Sequence, residues 1–124
     1  MKFLGKDNIL FEQLTQELSI LSSQIIGFNI KTKDDSFIIE VEIKLLYSKG
    51  DCLKLVFSKI KEYAFYNNSS NDVYYIEDYK LMQKNNLYYI SFDPDGNDLA
   101  DVSDDDNDFI LCENMEGYIY SSES

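Results

Sequence analysis

The sequence contains no histidine and no arginine. Histidine is the side chain most often used for proton transfer near neutral pH, so its absence removes the Ser-His and Cys-His nucleophiles. The absence of arginine removes the guanidinium group, whose bidentate hydrogen bonds most phosphate-binding and carboxylate-binding sites use. The five glycines are scattered, and they form neither the G-x-x-x-x-G-K-[ST] nor the G-x-G-x-x-G phosphate-binding loop. We therefore expect a protein that is not an enzyme; only chemistry based on a pair of carboxylates, as in glycosidases, stays open.

Long apolar runs are also missing. No stretch approaches the roughly 18 apolar residues of a membrane span, and the N-terminus lacks the apolar segment of a secretory signal. We therefore expect a cytoplasmic protein without membrane contact. The two cysteines, Cys52 and Cys112, lie within apolar runs, which indicates packed, reduced thiols. Two cysteines without histidine cannot supply the four ligands of a usual zinc site, and we expect no cofactor.

The length and composition fit one folded domain. A chain of 124 residues is long enough to bury a core but short for two ordinary domains. A hydrophobic content of 44% argues against disorder despite the net charge of −12. No repeat or linker is evident, so we expect a single domain over residues 1–124, with an acidic loop at residues 93–108.

The N-terminal part has the periodicity of one amphipathic helix, and Asp7 or Asn8 is placed to cap its start. From Ile25 onward the period changes to two, which predicts half-buried antiparallel strands. Polar turns are predicted at residues 33–35, 48–51 and 84–86, and a loop at 67–72. The apolar face of the helix is formed by Phe11, Leu14, Leu18 and Leu21. We expect Ile26, Phe28 and Ile30 to point inward on one strand, and Leu53, Leu55 and Phe57 to point inward on another. Further strands are predicted at residues 37–47, 73–82 and 87–92, with one or two short strands within 109–112 and 118–120.

These elements predict an α+β fold. One N-terminal amphipathic helix packs on a mainly antiparallel, curved sheet of six to seven strands, or on a partly open barrel. Adjacent tyrosines such as Tyr74 and Tyr75, or Tyr88 and Tyr89, must point to opposite faces of a strand. Some tyrosine rings are therefore expected to face solvent, where tyrosine is frequent in binding patches.

Positive charge is absent from residues 85–124, since all eleven lysines lie at or before Lys84. The first 84 residues carry a net charge of −1, whereas the last forty hold eleven carboxylates and no cation. Eight of these are aspartates within residues 93–108. Three interpretations stay open: a solvated loop that keeps the protein soluble, a calcium loop, or a surface that binds a basic protein.

The calcium interpretation fits the spacing poorly. If Gly96 is the turn glycine of an EF-hand loop, Val102 takes the place of the bidentate glutamate. If the loop starts at Asp93, Asp98 takes the place of the glycine. The binding-surface interpretation gains weight because closely packed carboxylates repel one another, and a cationic partner relieves that repulsion.

The alternating strands, the tyrosine-rich middle and the aspartate-rich tail resemble the small acidic immunity proteins of bacterial polymorphic and contact-dependent growth-inhibition toxin systems. The resemblance is one of layout and composition, and immunity proteins have diverse folds. It is carried by the segments 38–46 (IIEVEIKLL), 75–81 (YIEDYKL), 89–94 (YISFDP) and 106–110 (DNDFI).

The resemblance implies an immunity protein that neutralises one cognate toxin by stoichiometric binding. Many such toxins are nucleases with basic clefts, so the expected partner is a basic protein rather than nucleic acid. The alternatives are a DNA-mimic regulator of a nucleic-acid-binding protein and a weak Ca²⁺-binding domain; the oligomeric state is not predicted. From the charge pattern, the expected partner contacts are the loop aspartates and two tyrosines near the C-terminus: Asp93, Asp95, Asp98, Asp101, Asp104, Asp105, Asp106, Asp108, Tyr118 and Tyr120.

Overall fold

The structure, a computed structural model, describes residues 1–46, 51–65, 74–96 and 101–121. Within these residues the chain forms eight strands, one short α-helix and one π-helical turn. The α+β fold with a mainly antiparallel sheet is confirmed, with a smaller helix than predicted and eight strands rather than six or seven. In chain order the elements are β1 Lys2–Lys6, α1 Asn8–Glu12, the π-turn Gln13–Glu17, β2 Gln24–Lys33, β3 Ser36–Lys44, β4 Asp51–Ala64, β5 Tyr74–Tyr75, β6 Lys80–Lys84, β7 Leu87–Asp93 and β8 Asn107–Ser121.

All eight strands belong to one sheet, and each neighbouring pair is antiparallel. The strand order is β5-β2-β3-β4-β8-β7-β6, and β1 pairs with the C-terminal part of β8. The sheet curls into a half barrel. Leu10 and Leu14 of the N-terminal helical segment pack with the buried strand residues in one core.

β8 pairs with three other strands of the sheet, β1, β4 and β7. The sequence predicts one or two short strands in this region, whereas a single strand of 15 residues runs through it. Gly117 lies between the two predicted pieces, but it does not interrupt the strand. A Cβ at this position would lie 2.5 Å from Cδ1 of the buried Leu10. The glycine therefore allows the helical segment to pack closely against β8.

Two of the predicted turns are confirmed as tight hairpins. Asp34 and Asp35 connect β2 to β3 with φ values of 50° and 65°, and Asn85 and Asn86 connect β6 to β7 with φ values of 54° and 65°. Two-residue hairpin turns favour positive φ at both positions, and Asp and Asn tolerate it better than other non-glycine residues. The predicted turn 48–51 lies almost entirely outside the described residues, and the predicted loop 67–72 lies wholly outside them.

The N-terminal helix is shorter than predicted. Leu18 has an extended backbone, with φ −123° and ψ 104°, so the helical segment ends before it. Of the predicted apolar face, Leu14 is buried, whereas Leu21 is 38% exposed. Leu10 and Ile20 join Leu14 in the core. Short helices gain most of their stability from tertiary packing, and here the chain follows the concave face of the sheet instead of continuing the helical period.

β1 precedes the helix and was not predicted. Asp7 follows it at the N-cap position, but its side chain makes no capping hydrogen bond. The Asp7 carboxylate instead accepts hydrogen bonds from the backbone N–H of Met115, at 3.0 Å, and from the side-chain amide of Asn114, at 3.1 Å. Asp7 therefore links the start of the helical segment to β8.

The inward face of β2 differs from the prediction. A bulge between Ile25 and Gly27 shifts the register, so that Ile25 pairs with Ile43 and Phe28 pairs with Val41. Ile25 is buried, while Ile26 is 47% exposed. A bulge adds one residue to a strand and reverses the alternation beyond it, which is why a strict period of two assigned Ile26 to the core.

The alternation predicted for β3 and β4 is confirmed, and their inward residues form the centre of the core. The fully buried side chains that the strands contribute include Ile39, Val41, Ile43, Leu53, Leu55, Phe57, Ile90, Phe92, Ile110 and Met115.

None of the helices in the described parts of the chain is long and apolar enough to cross a membrane.

Candidate binding surface

The acidic segment, residues 93–108, is attached to the sheet through the carboxylate of Asp106. This residue is only 4% exposed. A buried carboxylate is stable only when it is paired and hydrogen-bonded. We call this carboxylate, together with the groups that donate hydrogen bonds to it, the Asp106 cluster. The Asp106 carboxylate accepts five hydrogen bonds: two from the Lys80 ammonium (3.0 and 3.1 Å), one from the Tyr89 hydroxyl (2.7 Å), and one each from the backbone N–H groups of Asp95 (2.8 Å) and Ser103 (3.0 Å).

The cluster lies on the outer face of the sheet. Lys80 and Met82 alternate on β6 with Leu81, which packs against the core, and Met82 pairs with Tyr89 on β7. Lys80 also donates a hydrogen bond to the backbone carbonyl of Asp101, at 2.6 Å. Lys80 of β6 and Tyr89 of β7 thus contact the acidic segment at Asp101 and Asp106.

Burial of Tyr89 was not expected. Tyr88 and Tyr89 point to opposite faces of β7, yet they are 5% and 4% exposed. Tyr89 is buried because the acidic segment lies over the outer face and because its ring stacks on Phe109, with centroids 5.6 Å apart. The outward tyrosine of the other pair, Tyr75, is 57% exposed as predicted.

The pKa values of the cluster show how strongly Asp106 is held in its charged form. Burial by itself would raise the pKa of Asp106, but the hydrogen bonds from Ser103, Asp95, Tyr89 and Lys80 outweigh it and lower the pKa below the ordinary value. Burial and the Asp106 carboxylate raise the pKa of the Tyr89 hydroxyl. Near neutral pH Asp106 is therefore a carboxylate and Tyr89 a neutral phenol.

The turn before Asp106 presents three aspartates to solvent: Asp101, Asp104 and Asp105 are all exposed. We call them the exposed aspartate group. Ser103 orders this turn, because its hydroxyl donates to Asp95 at 3.0 Å and accepts from the backbone N–H of Asp105 at 3.1 Å. The Val102 N–H donates to the Asp101 carboxylate, which also pairs with Lys84 at 3.3 Å, and both contacts lower the pKa of Asp101.

Asp106 and Asp108 are not part of the exposed surface, contrary to the prediction that they contact a partner. Asp108 is 3% exposed and accepts a hydrogen bond from the Tyr74 hydroxyl. The pKa of Tyr74 is raised by burial and by this contact. Both aspartates are used inside the fold, since each joins the acidic segment to a distant strand. Asp98 lies outside the described residues.

Asp93 borders an acidic pocket of about 390 Å³ at the end of β7. The exposed carboxylates of Glu77 and Asp78 line the same pocket, together with the exposed ring of Tyr75. No lysine lines it among the described residues. The sequence prediction included Asp93 but missed Glu77 and Asp78, because they precede β6 and lie far from the acidic segment in the chain.

Tyr118 and Tyr120 are remote from the acidic segment. They lie near the C-terminal end of β8, and Asp108 near its N-terminal end. At about 3.3 Å per residue the distance along the strand from Asp108 is about 33 Å to Tyr118 and about 40 Å to Tyr120. Tyr118 donates to Glu116 at 2.8 Å, and Tyr120 donates to Glu42 at 2.7 Å. The assumption that closeness in sequence means closeness in space fails here, because the intervening chain is one extended strand.

Neither metal nor thiol chemistry is indicated by the described residues. No group of three or more Asp, Glu or Cys side chains among them is arranged to hold a metal ion. Cys52 and Cys112 are buried and unbridged, as predicted, and burial, with a smaller contribution from Asp7, raises the pKa of Cys112 to about 12. A thiol with so high a pKa is a poor nucleophile.

The sequence did not single out Lys80, because the predicted strand 73–82 also contains the charged residues Glu77 and Asp78. Its pairing with Asp106, 26 residues away, could not be read from any local pattern. No protein-family model, curated protein or solved structure matches the chain.

Proposed function

We propose that this chain is a binding protein that neutralises a basic protein toxin of the nuclease type, acting as a cytoplasmic immunity protein without chemistry of its own. One observation carries the proposal. The exposed aspartate group lies in a turn that the buried Asp106 cluster attaches to the sheet. The turn at residues 101–106 therefore presents the carboxylates of Asp101, Asp104 and Asp105 in a defined arrangement.

The buried ion pair argues against the interpretation that the segment only keeps the protein soluble. Burying Lys80 and Asp106 carries a desolvation cost of several kcal/mol per ion, which is offset only by good geometry. A solvated loop needs no such anchor. Fixing the loop lowers the entropy that would be lost when its carboxylates engage a partner.

The distribution of lysines favours a cationic partner. The two lysines of β6 are both committed, Lys80 to Asp106 and Lys84 to Asp101. The acidic pocket holds three carboxylates, and none of the described residues that line it is a lysine. Electrostatic attraction of this kind increases association rates and selects for partners of opposite charge.

The proposal is tested by affinity capture with the full chain as bait and by growth protection. We expect affinity capture to recover one basic protein, bound in a one-to-one complex. Expression of that protein should arrest growth unless this chain is co-expressed. The substitution Asp101→Asn/Asp104→Asn/Asp105→Asn weakens both capture and protection. Failure to retain a basic protein, or retention that this variant leaves unchanged, would refute the proposal.

A charge-matched control separates local contacts from net charge. The variant Glu17→Gln/Asp34→Asn/Asp35→Asn also removes three exposed carboxylates, from the π-turn and the β2–β3 hairpin. Asparagine tolerates the positive φ of that hairpin, so the fold is preserved. The control should capture and protect like the wild type. Capture of several DNA-binding proteins, displaced by duplex DNA, would identify a DNA mimic instead.

A further inference from the structure

A second pocket, which we call the outer pocket, lies beside the exposed aspartate group. Its volume is about 450 Å³, within the roughly 300–1,000 Å³ typical of ligand sites. β6, β7 and β8 supply its floor, and the chain around Val102 and Ser103 forms one side. The apolar residues that line it are Met82, Leu87, Tyr89, Val102, Phe109 and Leu111.

The mouth of the outer pocket carries unbalanced negative charge. Glu62 and Asp104 are exposed at its rim, and no lysine side chain among the described residues lies within 4.0 Å of either carboxylate. Lys84 also lines the pocket, but Asp101 pairs with it at 3.3 Å. An apolar floor below two carboxylates suits a ligand with an aliphatic stem and a cationic head.

Among such ligands the guanidinium group fits best. It is weakly hydrated, it stacks on aromatic faces, and its fork of donors matches a carboxylate. Phe109 is half-buried and lines the same pocket as Glu62 and Asp104. An ammonium group is more strongly hydrated and gains less from an aromatic wall.

We infer that the outer pocket receives an arginine side chain of the basic partner, with its methylenes against Phe109 and Leu111 and its guanidinium at Glu62 and Asp104. The inference rests on the proposed function and names a partner contact at the same surface. A buried arginine surrounded by weaker rim contacts is a common arrangement in protein interfaces.

The test uses n-butylguanidinium as the probe, with the full-length protein labelled with ¹³C at its Met and Leu methyl groups. Saturable shifts are expected at Met82, Leu87 and Leu111, at millimolar probe concentration because small fragments bind weakly. Glu62→Gln should weaken binding about threefold or more. Glu12→Gln, a matched change on the exposed side of α1, should leave it unchanged.

Three outcomes would overturn the inference: no saturable shift at these methyl groups, equal shifts with n-butanol, or stronger binding of n-butylammonium. If the probe fails while a basic protein is still captured through the exposed aspartate group, only this inference is lost. If the probe binds as expected but no basic protein is captured, the proposed function is lost while the pocket's preference stands.

Discussion

Replacing Asp106 by asparagine should destabilise the protein strongly. The change removes the charge that balances the Lys80 ammonium, whose side chain is 1% exposed. It also places an amide NH₂ near the backbone donors of Asp95 and Ser103. Breaking a buried ion pair by removing one partner costs about 3–5 kcal/mol. Since the stability of a typical domain is about 5–15 kcal/mol, the variant should lose a large part of its free energy of unfolding.

The measurement is equilibrium unfolding in urea, followed by circular dichroism. Asp105→Asn is the matched control, because Asp105 is the preceding residue and is exposed; its effect should stay within about 0.5 kcal/mol. The double variant Lys80→Met/Asp106→Asn removes the unpaired ammonium and should recover part of the loss. An Asp106→Asn variant as stable as Asp105→Asn would show that the cluster does not anchor the acidic segment.

Three further predictions concern stability. Tyr89→Phe deletes one donor to the Asp106 carboxylate and should cost about 1.5–3 kcal/mol; a value near zero in urea unfolding would contradict the geometry. Gly117→Ala places a methyl group 2.5 Å from Leu10 Cδ1 and should cost about 1–3 kcal/mol. Gly96→Ala, which meets no described atom within 4 Å, should be nearly neutral by the same assay. The pKa of Asp106 is lower in the folded protein than its ordinary 3.8, so the stability that this group contributes is present above about pH 4 and is lost as the pH falls through the folded pKa; acid titration of unfolding should show a shallower loss in Asp106→Asn than in the wild type, and parallel curves would disprove the linkage.

The strand pattern of this protein was readable from its sequence where the strands follow a strict period of two. The inward residues of β3 and β4, such as Val41 and Leu55, alternate without interruption, and both are fully buried. The hairpin turns were readable because Asp34-Asp35 and Asn85-Asn86 provide the residue types that positive φ favours. Local chemistry decides these features.

The errors occurred where distant contacts decide the structure. The bulge after Ile25 reverses the alternation in β2, and the packing of Ile20 on the sheet ends the helical period early. The short strands predicted within 109–112 and 118–120 form one continuous strand, in which Gly117 makes room for Leu10. Each feature depends on a part of the chain that no local window contains.

The candidate surface was predicted only in outline. The concentration of aspartates indicated the right segment, but the sequence could not show that Asp106 and Asp108 turn inward while Asp101, Asp104 and Asp105 face solvent. That division depends on Lys80 and Tyr74, which lie on other strands. A buried carboxylate and an exposed one look alike in a run of aspartates.

The most direct test of the central claim is the dissociation constant of the captured basic protein, measured by isothermal titration calorimetry against the wild type and the two triple variants. Exposed charge pairs contribute about 0.2–1 kcal/mol each, so loss of Asp101, Asp104 and Asp105 together should weaken binding about 3- to 150-fold. The charge-matched control should change it less than about twofold. Equal weakening by both variants, or by neither, would contradict the claim that the exposed aspartate group is the binding surface.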